Sequence, residues 1–169
     1  HGKKSGYLKQ VRELEQRQAE INSIIYALQN ARKKKPRKPS SAATDMGEFG
    51  KLRGTLPWPV KGEVVKQFGT NIHPVYRTKT INNGIDIETG EGASVKAVAG
   101  GEVAYTGVLG SFGNIVIIEH SDNFYTLYAN LDRVSVKKGS QVKAGYLLGS
   151  TGSSSSVDGA KLHFELRRE

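Results

Sequence analysis

Residues Asn82–Ala97 read NNGIDIETGEGASVKA. A tight turn through Gly84, the residue read as supplying the turn geometry, leads into Ile85-Asp86-Ile87. A second Gly-rich turn at Gly90–Gly92 then feeds an apolar strand around Val95. Four residues before Asp86 stands Asn82. A histidine there would complete a pair of zinc ligands, but an amide oxygen is a poor ligand beside imidazole or carboxylate.

The same texture continues outward. EVVKQF, SVKAVA, GEVAYTGV, NIVIIEH, FYTLYANL, YLLGSTG and KLHFELRR are short strand-like runs separated by Gly, Asn and Ser turns. GASVKA (Gly92–Ala97) and GSQVKA (Gly139–Ala144) form a near-repeat, each read as a Gly-led turn feeding a strand that ends at a buried small residue. No second helical period appears from residue 55 onward. The reading for residues 55–169 is therefore a mainly β domain, a small antiparallel β-sandwich or partly open barrel.

Residues 1–32 differ in kind. Tyr7, Val11, Leu14, Gln18, Ile21, Ile25 and Leu28 follow a 4,3 alternation, the seam of an amphipathic, heptad-bearing helix. About three heptads are marginal alone, so the helix must pack on something: a coiled-coil partner or the β domain itself. Residues 33–54 combine a basic run, prolines, serines and glycines, the composition of a linker. Residues 1–54 carry 13 Lys and Arg against 5 Asp and Glu, whereas residues 55–169 carry 12 against 11. The basicity thus belongs to the helix and linker. No folded basic face with aromatic partners is evident, so nucleic acid is not expected as a partner. The absence of cysteine excludes disulfides, Cys-based zinc sites and a thiol nucleophile. No apolar run approaches the roughly 18–20 residues needed to span a bilayer. Opening without methionine, the chain reads as a fragment or a processed form.

From about Trp58 to Arg167 the ordered motifs NxGIDI, VKA, GEV, NIVIIEH, YTLYANL and KLHFELR resemble the LytM/lysostaphin-type zinc endopeptidase domain. That resemblance implies an Asp ligand at Asp86 and a His ligand at His163. The family's three other histidine positions fall on Asn82, Asn130 and Lys161. It further implies that this domain is degenerate: no cofactor, no metal and no hydrolysis, since a catalytic zinc needs three protein ligands and a proton shuttle. His73 and His120 are read as surface or turn histidines. Within that family the heptad helix, the entry GKLRGTLPWPVKG and the ending FELRR resemble EnvC-type murein hydrolase activators. The implied role is that of a non-catalytic periplasmic or cell-envelope protein acting in cell separation at division. It would bind and activate a peptidoglycan N-acetylmuramoyl-L-alanine amidase through the vacated groove, with the helix covering that groove until displaced. Peptidoglycan itself, and a coiled-coil or membrane-associated recruiter bound through the helix, are further partners to be considered. The alternatives are a peptidoglycan-binding module without an activator role, and an active zinc endopeptidase with non-standard ligands.

Strand alternation on KLHFELRR places Lys161, His163, Glu165 and Arg167 on the groove side and Leu162, Phe164 and Leu166 toward the core. The expected docking groove comprises Asp86, Phe112, Ile115, Tyr128, His163 and Arg167. In it Phe112 and Ile115 stand at an exposed rim, and Tyr128 shares a face with Asn130. Trp58 is expected to anchor the core, and the serine run Ser150–Ser156 to form a loop.

Overall fold

The computed structural model describes residues 2–35, 49–153 and 159–169. Most of the linker and of the serine run lies outside the described residues. Helix α1 (Gly2–Lys33) contains the whole heptad seam. Eleven strands follow among the described residues: β1 (Glu63–Lys66), β2 (Gly69–Ile72), β3 (Lys79–Asn82), β4 (Ile85–Glu88), β5 (Ser94–Lys96), β6 (Gly101–Val108), β7 (Asn114–Glu119), β8 (Phe124–Val134), β9 (Gln141–Val142), β10 (Leu147–Thr151) and β11 (Lys161–Arg168). The pairings are antiparallel. The main sheet runs β1-β4-β11-β8-β7-β6-β9, and β2–β3 is a separate hairpin. The sheet does not close into a barrel.

β8 is the strand that folds the sheet over. Its first half pairs with β11, from Phe124 opposite Arg168 to Ala129 opposite His163. Its second half pairs instead with β10, which in turn pairs with β5. The change of partner falls at Asn130, whose φ is +64°. There β8 inserts two residues between its partners Leu131 and Tyr128, while β7 inserts one between Asn114 and Val116. This is a bulge, and it reverses the strand's alternation.

Two apolar clusters result. One, inside the folded sheet, gathers Ile87, Val95, Val103, Val116, Ile118, Tyr128, Leu148 and Leu162. The other lies on the sheet's opposite face, where Leu109, Phe112, Ile115, Ile117, Tyr125, Leu127 and Ala129 meet Ile21 and Ile25 of α1. Of the two fates open to the helix, the structure shows packing on its own β domain. Ile21 and Ile25 are at most 2% exposed, and burial of that extent stabilises by about 1.5–3 kcal/mol per side chain.

Several expectations are corrected. Phe49, placed by composition in the linker, is buried against His120 and Phe124, and its amide donates to Ser121 Oγ. The packed domain therefore starts upstream of residue 55. Trp58 is 68% exposed and anchors no core; it stands in the Leu56–Pro59 segment, outside any strand. Ala144 is exposed where its near-repeat counterpart Ala97 is buried, because β9 ends at Val142. His120 is a buried histidine rather than a surface one. Its Nδ1 contacts the Gly100 carbonyl and its Nε2 the Thr126 hydroxyl, both at 2.7 Å. Gly84 does not adopt a positive φ. It is required for another reason: a Cβ there would collide with the Phe164 carbonyl.

Candidate functional site

β4 and β11 lie side by side with His163 directly opposite Asp86. Cross-strand neighbours share a face, so the two side chains meet. His163 Nδ1 bonds Asp86 Oδ1 at 2.5 Å, and its Nε2 bonds Glu165 Oε1 at 2.9 Å. Arg167 Nε donates to Glu165 Oε2 at 2.8 Å, and its Nη1 donates to Asn22 of α1 at 2.6 Å. At the other end Lys66 Nζ lies 3.9 Å from Asp86 Oδ2. The result is a row of alternating charges along the groove floor.

Electrostatics fix the protonation state of this row. Burial alone would lower the His163 pKa, but hydrogen bonds to Asp86 and Glu165 and their negative charges override it and raise it to about 9. Burial pushes Asp86 upward, yet the His163 hydrogen bond and charge, with Lys66 and Lys161, hold it below the ordinary carboxylate value. Glu165 is fully buried and held low against burial by His163 and Arg167. At neutral pH, His163 is therefore an imidazolium with both N–H groups committed. In this arrangement neither ring nitrogen presents a free lone pair, and a metal bound there would displace a proton.

The remaining family positions were placed as follows. Asn82 lines the cavity, but its amide is engaged: Nδ2 donates to the Gln67 carbonyl, between β1 and β2, at 3.1 Å, and Oδ1 accepts from the Gly84 amide at 3.4 Å. Asn130, carried to the groove by the bulge, and Lys161 line the same cavity as Asp86 and His163. Among the described residues, no group of three His, Cys, Asp or Glu side chains is placed to hold a metal. The donor set at Asp86 and His163 does not fit a catalytic zinc. An amide already engaged with Gln67 and Gly84 stands at Asn82 where a third ligand is needed, and Lys161 adds a cation beside the two that remain.

The docking residues divide. Asp86 and His163 line the groove, whereas Arg167 lies outside its lining, holding Glu165 and Asn22 of α1. Phe112 is not an exposed rim residue. It is 6% exposed, stacks on His163 with ring centroids 5.0 Å apart, and carries the Arg17 guanidinium 4.9 Å above its ring. Ile115 is wholly buried beneath α1. Tyr128 faces the interior, where its hydroxyl meets Thr126 and the Val98 amide. The Asn130 bulge puts Tyr128 and Asn130 on different faces, so plain alternation failed there.

Some participants had not been assigned a role. Glu165 is the second counter-ion of His163, and the i, i+2 pattern of β11 carried that signal. Lys66, Arg17 and Asn22 could not be found from sequence, since each reaches the site from a different element. Gln18, the polar residue in the seam, lies over this charged floor. With its oxygen toward Asn83 and Arg167, its nitrogen reaches Glu165 Oε1 at 3.3 Å.

Residues 80–169 match the family model for Peptidase family M23. The chain belongs to that family. It is 38% identical over 117 residues to murein hydrolase activator NlpD of Escherichia coli, and 35% identical over 123 residues to murein hydrolase activator EnvC of the same organism. These matches cover 67% and 73% of this chain and 28% of each relative, so the chain spans well under a third of their length. A solved zinc-containing peptidase from Vibrio cholerae is 33% identical, with a TM-score of 0.58, over 64% of this chain and 35% of that one. The M23 chain described here is thus an EnvC/NlpD-like LytM-domain protein with a mainly β fold and one N-terminal helix.

Proposed function

We propose that this M23 domain is a non-catalytic activator, docking a peptidoglycan amidase in the groove floored by Asp86 and His163. Its place of action would be the cell envelope, at cell separation. Identity alone does not separate this reading from hydrolysis, because activators and a zinc-containing peptidase stand at similar distances. The observation that favours it is that Asn82, Asn130 and Lys161, at the family's other histidine positions, line one cavity with Asp86 and His163. The clamping of His163 between Asp86 and Glu165 adds to it. A groove with fixed charges, an aromatic at Phe112 and apolar neighbours suits recognition of a protein segment. The relatives named as murein hydrolase activators point the same way. α1 lies across the groove, so docking requires at least part of it to move.

The test is dye release from labelled peptidoglycan. It compares amidase alone, this chain alone, and the two together, the samples with this chain run both with and without prior stripping of the chain by chelator and desalting. The expected result is release only in the paired samples, equal with and without stripping. Release by this chain alone, abolished by stripping, would contradict the proposal.

A further inference from the structure

We infer that the groove opens by unwinding of residues 2–18 of α1 alone, while residues 21–33 remain a fixed wall of the domain. The inference rests on the docking reading above for its purpose, but not for its geometry.

The two halves of α1 are held by different physics. Residues 21–33 complete an apolar cluster: Ile21 and Ile25 are buried on Ile115, Ile117 and Leu127. Arg32 closes that end, with its Nε 2.9 Å from Glu119 and its Nη1 donating to Asn123 at 3.1 Å. Removing this half would bare a broad apolar face, which soluble domains avoid. The first half buries no residue fully, and Leu8 and Leu14 remain exposed. It roofs a cavity of about 390 Å³ over Asp86, Asn130 and His163. Its reach to the far wall is Tyr7, whose ring lies 4.3 Å from His73 and 5.4 Å from Tyr76.

The sequence of that half is also weak as a helix. Gly6 lies in the helix interior, which costs about 1 kcal/mol relative to alanine. Lys3, Lys4, Lys9 and Arg12 precede the first acidic residue, Glu13, and like charges on a helix repel. Where the halves meet, Arg17 is half-desolvated, and its buried Nε has no hydrogen-bond partner. Cover built from ring contacts and partly exposed side chains is lost at lower cost than the fully buried Ile21–Ile25 packing. A docking segment therefore enters between residues 2–18 and the β2–β3 hairpin.

The chain lacks cysteine, so single reporters can be introduced in the full chain: Lys161→Cys beneath the first half and Ile115→Cys beneath the second. Thiol-labelling rates are then read in combination with Tyr7→Ala and with Gly6→Ala; the Gly6 site has open space for a methyl. Tyr7→Ala should speed labelling at residue 161 by about tenfold, the scale of one lost aromatic contact. Gly6→Ala should slow it by about fivefold. Labelling at residue 115 should follow neither. Parallel changes at both reporters, or no change at residue 161, would overturn the inference. Hydrogen exchange on the unmodified chain is the second readout: amides of 2–18 should exchange faster than those of 21–33, and equal rates would contradict it. If labelling behaves as expected but Tyr7→Ala gives no gain in amidase stimulation, the docking reading fails and the opening mode stands.

Discussion

His120 and His163 are both buried, at 2% and 4% exposure, yet their pKa values move in opposite directions. Burial lowers the His120 pKa to about 4 despite its bond to the Gly100 carbonyl. The same burial is overruled at His163 by two carboxylates, and its pKa stands at about 9. His120 is thus a neutral strut between the Gly100 carbonyl and the Thr126 hydroxyl. His163 is a cation that a groove of acids requires. Partners rather than depth decide the charge of a buried imidazole.

The comparison breaks most directly at the carboxylates. Glu165→Ala leaves His163 and Arg167 short of a buried counter-ion, and a loss of about 3–5 kcal/mol is expected in urea unfolding. An effect below about 1 kcal/mol would mean that His163 is already neutral. His120→Ala removes two hydrogen bonds and the surface under Phe49, and about 2–3 kcal/mol should be lost. That loss should stay constant from neutral to mildly alkaline pH, because the wild-type group is uncharged there.

The pH dependence sharpens the contrast. An unfolded histidine titrates near 6.5. Since the folded value for His163 is raised, its contribution is complete below about 6.5 and is lost as pH rises toward 9. Since the folded value for His120 is lowered, its contribution is complete above about 6.5 and is lost as pH falls toward 4. Asp86 and Glu165, both held low, lose theirs as pH falls through their depressed values. Unfolding midpoints should therefore peak near pH 6.5, and the alkaline decline should vanish in His163→Gln. A decline that survives that substitution would contradict the assignment. The smallest effect is expected far from either histidine: Trp58→Ala should change stability by under about 0.5 kcal/mol, as befits a 68% exposed side chain.

Much of this was legible in the sequence. Alternation on KLHFELRR placed His163, Glu165 and Arg167 together, and the 4,3 seam of α1 named Ile21 and Ile25 as buried positions. What sequence could not show was the effect of one left-handed residue. Asn130 at φ +64° reverses the register of β8 and sends Tyr128 inward, against the period-2 reading. Nor could composition distinguish Phe49, which packs, from the linker residues beside it, or show that α1 would bury Phe112 and Ile115. Those outcomes depend on contacts between elements far apart in the chain. The charge of His163 belongs to the same class, because Asp86 is 77 residues away.

The row of charges turns on His163, a raised-pKa imidazole clamped between Asp86 and Glu165. Its two ring nitrogens can be read directly by nitrogen-detected NMR at pH 7, before and after one equivalent of zinc. The account predicts two protonated nitrogens whose shifts do not move when zinc is added. A ring with one bare nitrogen that shifts with zinc would contradict it and return the groove to metal chemistry.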